Sequence, residues 1–145
     1  MNEEGYLIKT NIGSYVITYE YLNGYLQKEE AVGGRFGRSF TWENDNLISM
    51  IEYWDDGDIF TTTYSYGTAP NKESNVAPWS PPAIDEPGFY LALPSNWFGK
   101  TSKNLVSSDI GETSYRYETN ANGYVTKVYS TRNGTESLKF EVQYK

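Results

Sequence analysis

The feature that most constrains this chain is a hairpin-sized repeat that starts with two aromatic residues one position apart. Residues 19–28, Tyr-Glu-Tyr-Leu-Asn-Gly-Tyr-Leu-Gln-Lys, recur at 115–127 with a longer turn. A weaker copy starts at Phe40, and residues 5–9 resemble the end of a fourth copy whose first strand is missing. Because one hairpin cannot bury a hydrophobic face alone, successive copies must extend a common sheet.

Alternation of apolar and polar residues predicts the strands of that sheet. The sets predicted to share a face are Tyr15, Ile17, Tyr19 and Tyr21; Leu47, Ser49, Ile51 and Tyr53; Phe60, Thr62, Tyr64 and Tyr66; and Leu138, Phe140, Val142 and Tyr144. Tight-turn residues separate them, at Asn23-Gly24, Gly33-Gly34, Asn44-Asp45-Asn46, Asp56-Gly57, Asn122-Gly123 and Asn133-Gly134. The prediction is an all-β fold, an antiparallel meander of about nine strands in hairpin repeats, forming a curved sheet or a partly closed barrel.

One Pro/Trp-rich stretch breaks the pattern. We predict a single domain over residues 1–145, with an insertion at about 67–111. A structureless loop of that length is uncommon in a compact domain, so we expect a short helix or 3₁₀ turn around Phe89 to Leu93 that covers part of the sheet.

Composition excludes several kinds of chemistry. The chain has no Cys and no His, which rules out thiolate nucleophiles, Cys/His zinc sites and histidine general bases. A formal net charge of −7 disfavours nucleic acid, since phosphate binding needs clustered Lys and Arg. No apolar run approaches the about 18 residues of a transmembrane helix. Among the 19 acidic residues no particular pair suggests a glycosidase, so we predict no enzymatic activity, no catalytic residues and no cofactor.

Two turn segments have the residue types of binding loops. The stretch from Gly33 to Ser39 superficially resembles a phosphate-binding loop, but it lacks the Gly-Lys pair and precedes a strand, so we favour a turn with a glycine bulge. Three carboxylates follow Trp54, at Asp55, Asp56 and Asp58. Oxygen-rich loops can hold calcium, but Asp-Gly is first of all a hairpin turn, and we predict no metal site.

Aromatic side chains are the candidate ligand-binding residues. Flat rings stack on sugar faces, and a curved sheet offers a platform for them, which nominates Trp42, Trp54, Trp79, Trp97 and Tyr90. The alternative is that Trp42 and Trp54 belong to the core while Trp79 and Trp97 seal the insertion over the sheet. The expected partner is a glycan or a protein. A purely structural or interaction module without a small ligand is the alternative, and an unrecognised hydrolase comes third.

The order of the motifs resembles that of a known family. Phe40-Thr-Trp-Glu-Asn-Asp-Asn-Leu-Ile, Tyr64-Ser-Tyr66, and above all Trp97-Phe-Gly-Lys-Thr-Ser-Lys-Asn-Leu105 resemble DUF4595, a family of unknown function among Bacteroidetes envelope lipoproteins, while the Tyr-x-Tyr hairpins weakly resemble YD-type repeats. The resemblance implies a porin-like fold and a periplasmic or surface-exposed lipoprotein of the cell envelope. Residues 1–5 lack a signal sequence, and because Met1 directly precedes a predicted turn, we favour a removed signal over a cytosolic location.

Overall fold

The computed structural model describes residues 1–12, 15–34, 36–72, 99–109 and 113–143. Ten antiparallel strands, each paired with the next along the chain, form one meander sheet in the order β1 to β10. They are β1 (Lys9–Ile12), β2 (Tyr15–Leu22), β3 (Tyr25–Ala31), β4 (Phe36–Glu43), β5 (Asn46–Trp54), β6 (Ile59–Pro70), β7 (Asn104–Asp109), β8 (Ser114–Thr119), β9 (Val125–Arg132) and β10 (Thr135–Glu141). The all-β meander is confirmed, as an open sheet with β1 and β10 as its edges.

The hairpin turns adopt the backbone that their residues favour. Asn23 and Gly24 have φ angles of 56° and 84°, and Asn133 and Gly134 have 51° and 76°. Positive φ at both central residues is the type I′ geometry, whose twist matches that of the flanking strands. Asn44 and Asp45 also take positive φ, which short polar side chains tolerate better than other non-glycine residues do.

A β-bulge in the second strand of three hairpins decides which side chains reach the core. The pairings skip Gln27 in β3, Ile48 in β5 and Thr126 in β9. Each skipped residue shifts the alternation by one position. Leu26, Leu47 and Val125 are consequently buried. We call the sheet face that carries them the core face and the opposite one the polar face.

Two predicted alternations are wrong because of such bulges. Leu47 faces the core, but beyond the bulge at Ile48 the residues Ile51 and Tyr53 lie on the polar face. In β10 the register shifts between Leu138 and Phe140, so these two side chains point to opposite faces. That edge strand is exposed throughout rather than half-buried. In β2, by contrast, Ile17 and Tyr19 are buried on one face as predicted.

Four aromatic side chains make the same hydrogen bond across the joints between hairpins. The Tyr21 hydroxyl donates to the Leu7 carbonyl at 2.8 Å, and the Trp42 indole N–H donates to the Leu26 carbonyl at 2.7 Å. The remaining two bonds run from Tyr66 to Leu47 at 2.6 Å and from Tyr117 to Val106 at 2.7 Å. Each donor is the second member of an aromatic-x-aromatic pair, and Tyr64-Ser-Tyr66 is a copy that the sequence repeat did not include.

The position of these bonds in the ladder is constant. Backbone pairing between hairpins ends at Lys9↔Thr18, Lys28↔Ser39, Ser49↔Thr63 and Ser108↔Ser114. In every case the residue whose carbonyl accepts the bond lies two positions before the first residue of this last ladder pair. The aromatic donor lies three positions after the second residue of the same ladder pair. The aromatic group therefore satisfies a carbonyl at the point where the strands separate. We call this contact the aromatic clamp.

The core forms two clusters along the core face. One contains Ile17, Tyr19, Leu26, Phe40 and Leu47, and the other contains Leu105, Val125 and Val128. Between them lies buried Ser102, whose Oγ accepts the Leu47 N–H at 3.1 Å and contacts the Tyr66 hydroxyl at 3.0 Å. Burial raises the pKa of Tyr66 to about 12, so the hydroxyl stays a donor at neutral pH.

Strands extend into both ends of the predicted insertion. β6 continues to Pro70, and β7 occupies 104–109. The segment leading into β7 crosses the turn ends of two hairpins, since the Lys100 N–H donates to the Gly24 carbonyl at 2.7 Å and the Lys103 N–H to the Asp45 carbonyl at 2.9 Å. The predicted helix or 3₁₀ turn at Phe89 to Leu93 lies outside the described residues.

Removing one aromatic clamp is expected to lower stability. Tyr117→Phe leaves the Val106 carbonyl without its donor in a partly buried position, which we expect to cost about 1–2 kcal/mol of unfolding free energy. Tyr129→Phe is the matched control, because that hydroxyl bonds Glu118 on the polar face, and its effect should stay within about 0.5 kcal/mol. Urea unfolding measures both, and equal losses would contradict the role of the clamp.

Gly37 in β4 lies beneath the Tyr53 ring. A Cβ at this position would meet the Tyr53 hydroxyl at 2.2 Å and the Glu29 carbonyl at 2.9 Å, whereas nothing lies within 4 Å of a Cβ at Gly67 in β6. We expect Gly37→Ala to destabilise the fold by about 2 kcal/mol through overpacking. Gly67→Ala should be neutral within about 0.5 kcal/mol. Thermal and urea unfolding of the two alanine variants would separate overpacking from a general effect of glycine replacement in strands.

Candidate functional site

The structure separates the two tryptophans that it describes. Trp42 pairs with Leu47 beside the β4–β5 turn, and Trp54 pairs with Phe36 at the other end of the same hairpin. The Trp42 ring is half-buried, packs on Tyr25 at 4.7 Å between centroids, and forms an aromatic clamp. Trp54 is 43% exposed. Of the remaining candidates, Trp79, Tyr90 and Trp97 lie outside the described residues.

Two further aromatic residues, Phe36 and Phe60, share the core face with Trp54 at this end of the sheet. Phe36 packs against Trp54 at 5.8 Å between centroids with a tilt of 34°, and it also contacts the first core cluster. Phe60 lies opposite Glu52 on the neighbouring strand β6 and is 57% exposed. Alternation places Phe60 on the same face as Trp54. We call Phe36, Trp54 and Phe60 the aromatic patch.

A row of charged side chains borders the patch. Glu29, Arg38 and Glu52 are direct neighbours in the ladder of β3, β4 and β5. Arg38 Nε donates to Glu52 Oε2 at 2.6 Å, and Arg38 Nη1 lies 3.7 Å from Glu29 Oε1. Side-chain exposure rises along the row, from 1% for Glu29 through 13% for Arg38 to 21% for Glu52. We call these three residues the charged row.

Glu52 joins the charged row to the aromatic patch. Its Oε1 accepts the indole N–H of Trp54 at 3.1 Å, while its Oε2 is held by Arg38. An exposed tryptophan ring is thus fixed by one polar contact and one ring contact. This arrangement offers an aromatic platform next to fixed donors and acceptors, which is the chemistry of sites that bind polar ligands with apolar faces.

Glu29 is the electrostatic anomaly of the row. Both carboxylate oxygens are buried, and neither makes a hydrogen bond within the described residues. Loss of hydration is the main influence on the pKa of Glu29 and raises it above the ordinary 4.5; Arg38 opposes this shift, and Glu52 adds to it. A buried carboxylate with an ion pair but no hydrogen bond is costly, so its position calls for an explanation.

The turn after Trp54 is a tight hairpin turn. The Gly57 N–H donates to the Trp54 carbonyl at 3.0 Å, and the Asp58 N–H to Asp56 Oδ1 at 3.1 Å. Within the described ranges, no three Asp or Glu side chains converge as metal ligands. Across the same ranges, no helix has the length and apolarity needed to span a membrane.

Sequence reasoning nominated Trp54 but missed its neighbours. The sequence predicts a turn with a glycine bulge from Gly33 to Ser39, whereas β4 already begins at Phe36. A usable signal was present, because Arg38 stands between Phe36 and Phe40 in the alternation and therefore occupies a core-facing position. Glu29 could not be placed in the same way, since the bulge at Gln27 reverses its face.

Glu29 is expected to make stability fall as pH rises. Its folded pKa is raised above 4.5, so above that pH the unfolded chain releases the proton first and the unfolding free energy decreases through the folded pKa. Glu29→Gln should remove this decrease. Glu30→Gln is the control on the polar face, where Lys28 lowers the carboxyl pKa and gives a contribution of opposite sign. Urea unfolding between about pH 4 and pH 8 tests the difference, and parallel profiles for wild type and Glu29→Gln would refute it.

Comparison with known proteins gives weak structural similarity and no family or curated relative. No family model matches the chain, so membership of DUF4595 stays a prediction, and no curated protein matches it. Among solved structures, the chain is similar to a porin-like protein from Bacteroides uniformis ATCC 8492, with 14% sequence identity and a TM-score of 0.41 over 90% of this chain and 79% of that one. This similarity is too low to assign a role to any residue.

Proposed function

We propose that this domain is a non-enzymatic carbohydrate-binding module whose aromatic patch stacks on a sugar ring. The observation that carries the proposal is the exposed ring of Trp54, which is held against Phe36 and by Glu52 instead of being buried. A patch of exposed aromatic rings that is bordered by fixed polar groups is the kind of surface at which ligands bind.

The charged row supplies the polar half of such a site. Sugars present apolar C–H faces and a rim of hydroxyl groups, so a sugar stacked on Trp54 would place hydroxyls near Glu52 and Arg38. Both of these side chains are already oriented by their 2.6 Å contact. Preorganisation of this kind lowers the conformational entropy that binding would otherwise cost.

The same contacts support a binding role over catalysis. Both oxygens of Glu52 are engaged, by Arg38 and Trp54, and Glu29 is buried. Neither carboxylate of the row is presented as a general acid or base to a bound sugar, as glycoside hydrolysis requires.

A location in the cell envelope belongs to the proposal as well. It is supported by the sequence resemblance to envelope lipoproteins, and it is compatible with a glycan as ligand. Fractionation of cells that express the complete gene product, with detection of a lipid-modified Cys, would test location independently of binding.

Glycan-array screening followed by calorimetry tests the binding function. For any glycan retained by the wild type, we expect Trp54→Ala to weaken the affinity by roughly tenfold or more and Phe60→Ala by severalfold, since each removes stacking surface. Ile59→Ala is the matched control. Ile59 is 68% exposed and precedes Phe60 in the sequence, but its own side chain lies on the polar face, away from the aromatic patch. Its affinity should equal that of the wild type.

Two outcomes would overturn the proposal. If no glycan binds, the domain is a structural or protein-interaction module. If glycans bind equally well to Trp54→Ala and to the wild type, the aromatic patch is not the site.

A further inference from the structure

We propose that Glu29 is a positioning residue for Trp54, acting through Arg38 and Glu52, and that protonation of Glu29 releases the indole ring of the aromatic patch. This regulation rests on the proposed function, because the ring that it controls is the proposed platform for sugar. This regulation would explain why a carboxylate is buried at position 29, where packing of the core does not need a charged side chain.

The first step is an unbroken chain of contacts from the core to the surface. The indole N–H of Trp54 donates to Glu52 Oε1 at 3.1 Å, Arg38 Nε donates to Glu52 Oε2 at 2.6 Å, and Arg38 Nη1 lies 3.7 Å from Glu29 Oε1. Since all four side chains stand on the core face of three adjacent strands, a change of charge at the buried end is transmitted through direct neighbours.

The second step is the environment of Glu29. On β2, Tyr19 is its direct ladder partner, and Tyr21, on the same face of that strand, interacts electrostatically with its charge. On β4 it faces Arg38, and on β5 its charge interacts with that of Glu52. The carboxylate is buried and makes no hydrogen bond within the described residues, so its charged form depends on Arg38. In turn, the ionised Glu29 on β3 attracts the guanidinium group of Arg38.

The third step is competition for Glu52. When Glu29 is ionised, it attracts Arg38 Nη1, and the guanidinium engages Glu52 through Nε on Oε2 while Oε1 remains with the indole. When Glu29 is neutral, this attraction disappears, and a guanidinium can bind both oxygens of a carboxylate as a fork. The fork brings a charged N–H donor to Oε1, and this charge-assisted bond outcompetes the weaker bond from the neutral indole N–H. Trp54 then keeps Phe36 as its ring contact and loses its polar anchor.

Nuclear magnetic resonance of the indole N–H tests the coupling without any ligand. In ¹⁵N-labelled protein, with the Trp54 resonance assigned from Trp54→Phe, we expect a pH-dependent shift that begins above the ordinary carboxyl range of about 4.5. In Glu29→Gln the resonance should stay near its low-pH position at all pH values. Glu30→Gln, altered at the next residue but on the polar face, should titrate like the wild type.

A second variant protects the test against misfolding of Glu29→Gln. Arg38→Lys keeps the positive charge, but an ammonium cannot form the fork, so we expect the pH-dependent shift of the Trp54 resonance to be lost. Identical Trp54 titrations in the wild type, Glu29→Gln and Arg38→Lys would overturn the inference.

Affinity measurements connect the switch to function. For a glycan retained on the array, we expect binding to weaken about fivefold as Glu29 is protonated, which corresponds to one lost hydrogen bond. Glu29→Gln should bind weakly at every pH, with no such change. A failed glycan screen would refute the proposed function while the resonance test of Glu29 stands, and an unshifted resonance would refute the switch while glycan binding stands.

Discussion

The structure depends on one recurring contact, the hydrogen bond from an aromatic side chain to a carbonyl where two hairpins separate. An antiparallel hairpin closes its own ladder, but the joint to the next hairpin ends early and leaves a carbonyl without a partner. Tyr21, Trp42, Tyr66 and Tyr117 supply the missing donor at a fixed offset. The same ring that donates also packs along the core face, so strand pairing and core packing are satisfied together.

This contact explains why tyrosine takes the place of aliphatic residues in a fold of this kind. A leucine at the clamp position would fill the space but leave the carbonyl unpaired, at a cost of about 1–3 kcal/mol in a buried setting. It also separates the roles of the tryptophans. Trp42 occupies a clamp position, where it stabilises the fold by its hydrogen bond to Leu26. Trp54 lies at the opposite end of the hairpin and is exposed.

The charged row departs from the regular pattern. The two core clusters consist of Ile, Tyr, Leu, Phe and Val side chains, but three adjacent strands place the charged residues Glu29, Arg38 and Glu52 on the same face. Fold stability alone does not favour a buried carboxylate without a hydrogen bond. The charged row ends at the exposed ring of Trp54. The free-energy cost of burying the Glu29 carboxylate is therefore explained if the orientation of that ring matters for binding.

The sequence by itself determined the antiparallel meander, its turns and the aromatic-x-aromatic repeat, because these follow from local backbone preference and alternation. It named Trp54 as a candidate ligand-binding residue, but it did not predict the neighbours of that ring or the hydrogen bond that Trp42 makes in the fold. Only the tertiary structure decided those, for a physical reason. A single bulged residue, such as Gln27 or Ile48, reverses the face of every side chain that follows it, and whether a strand bulges depends on its pairing with a neighbour rather than on its own residues.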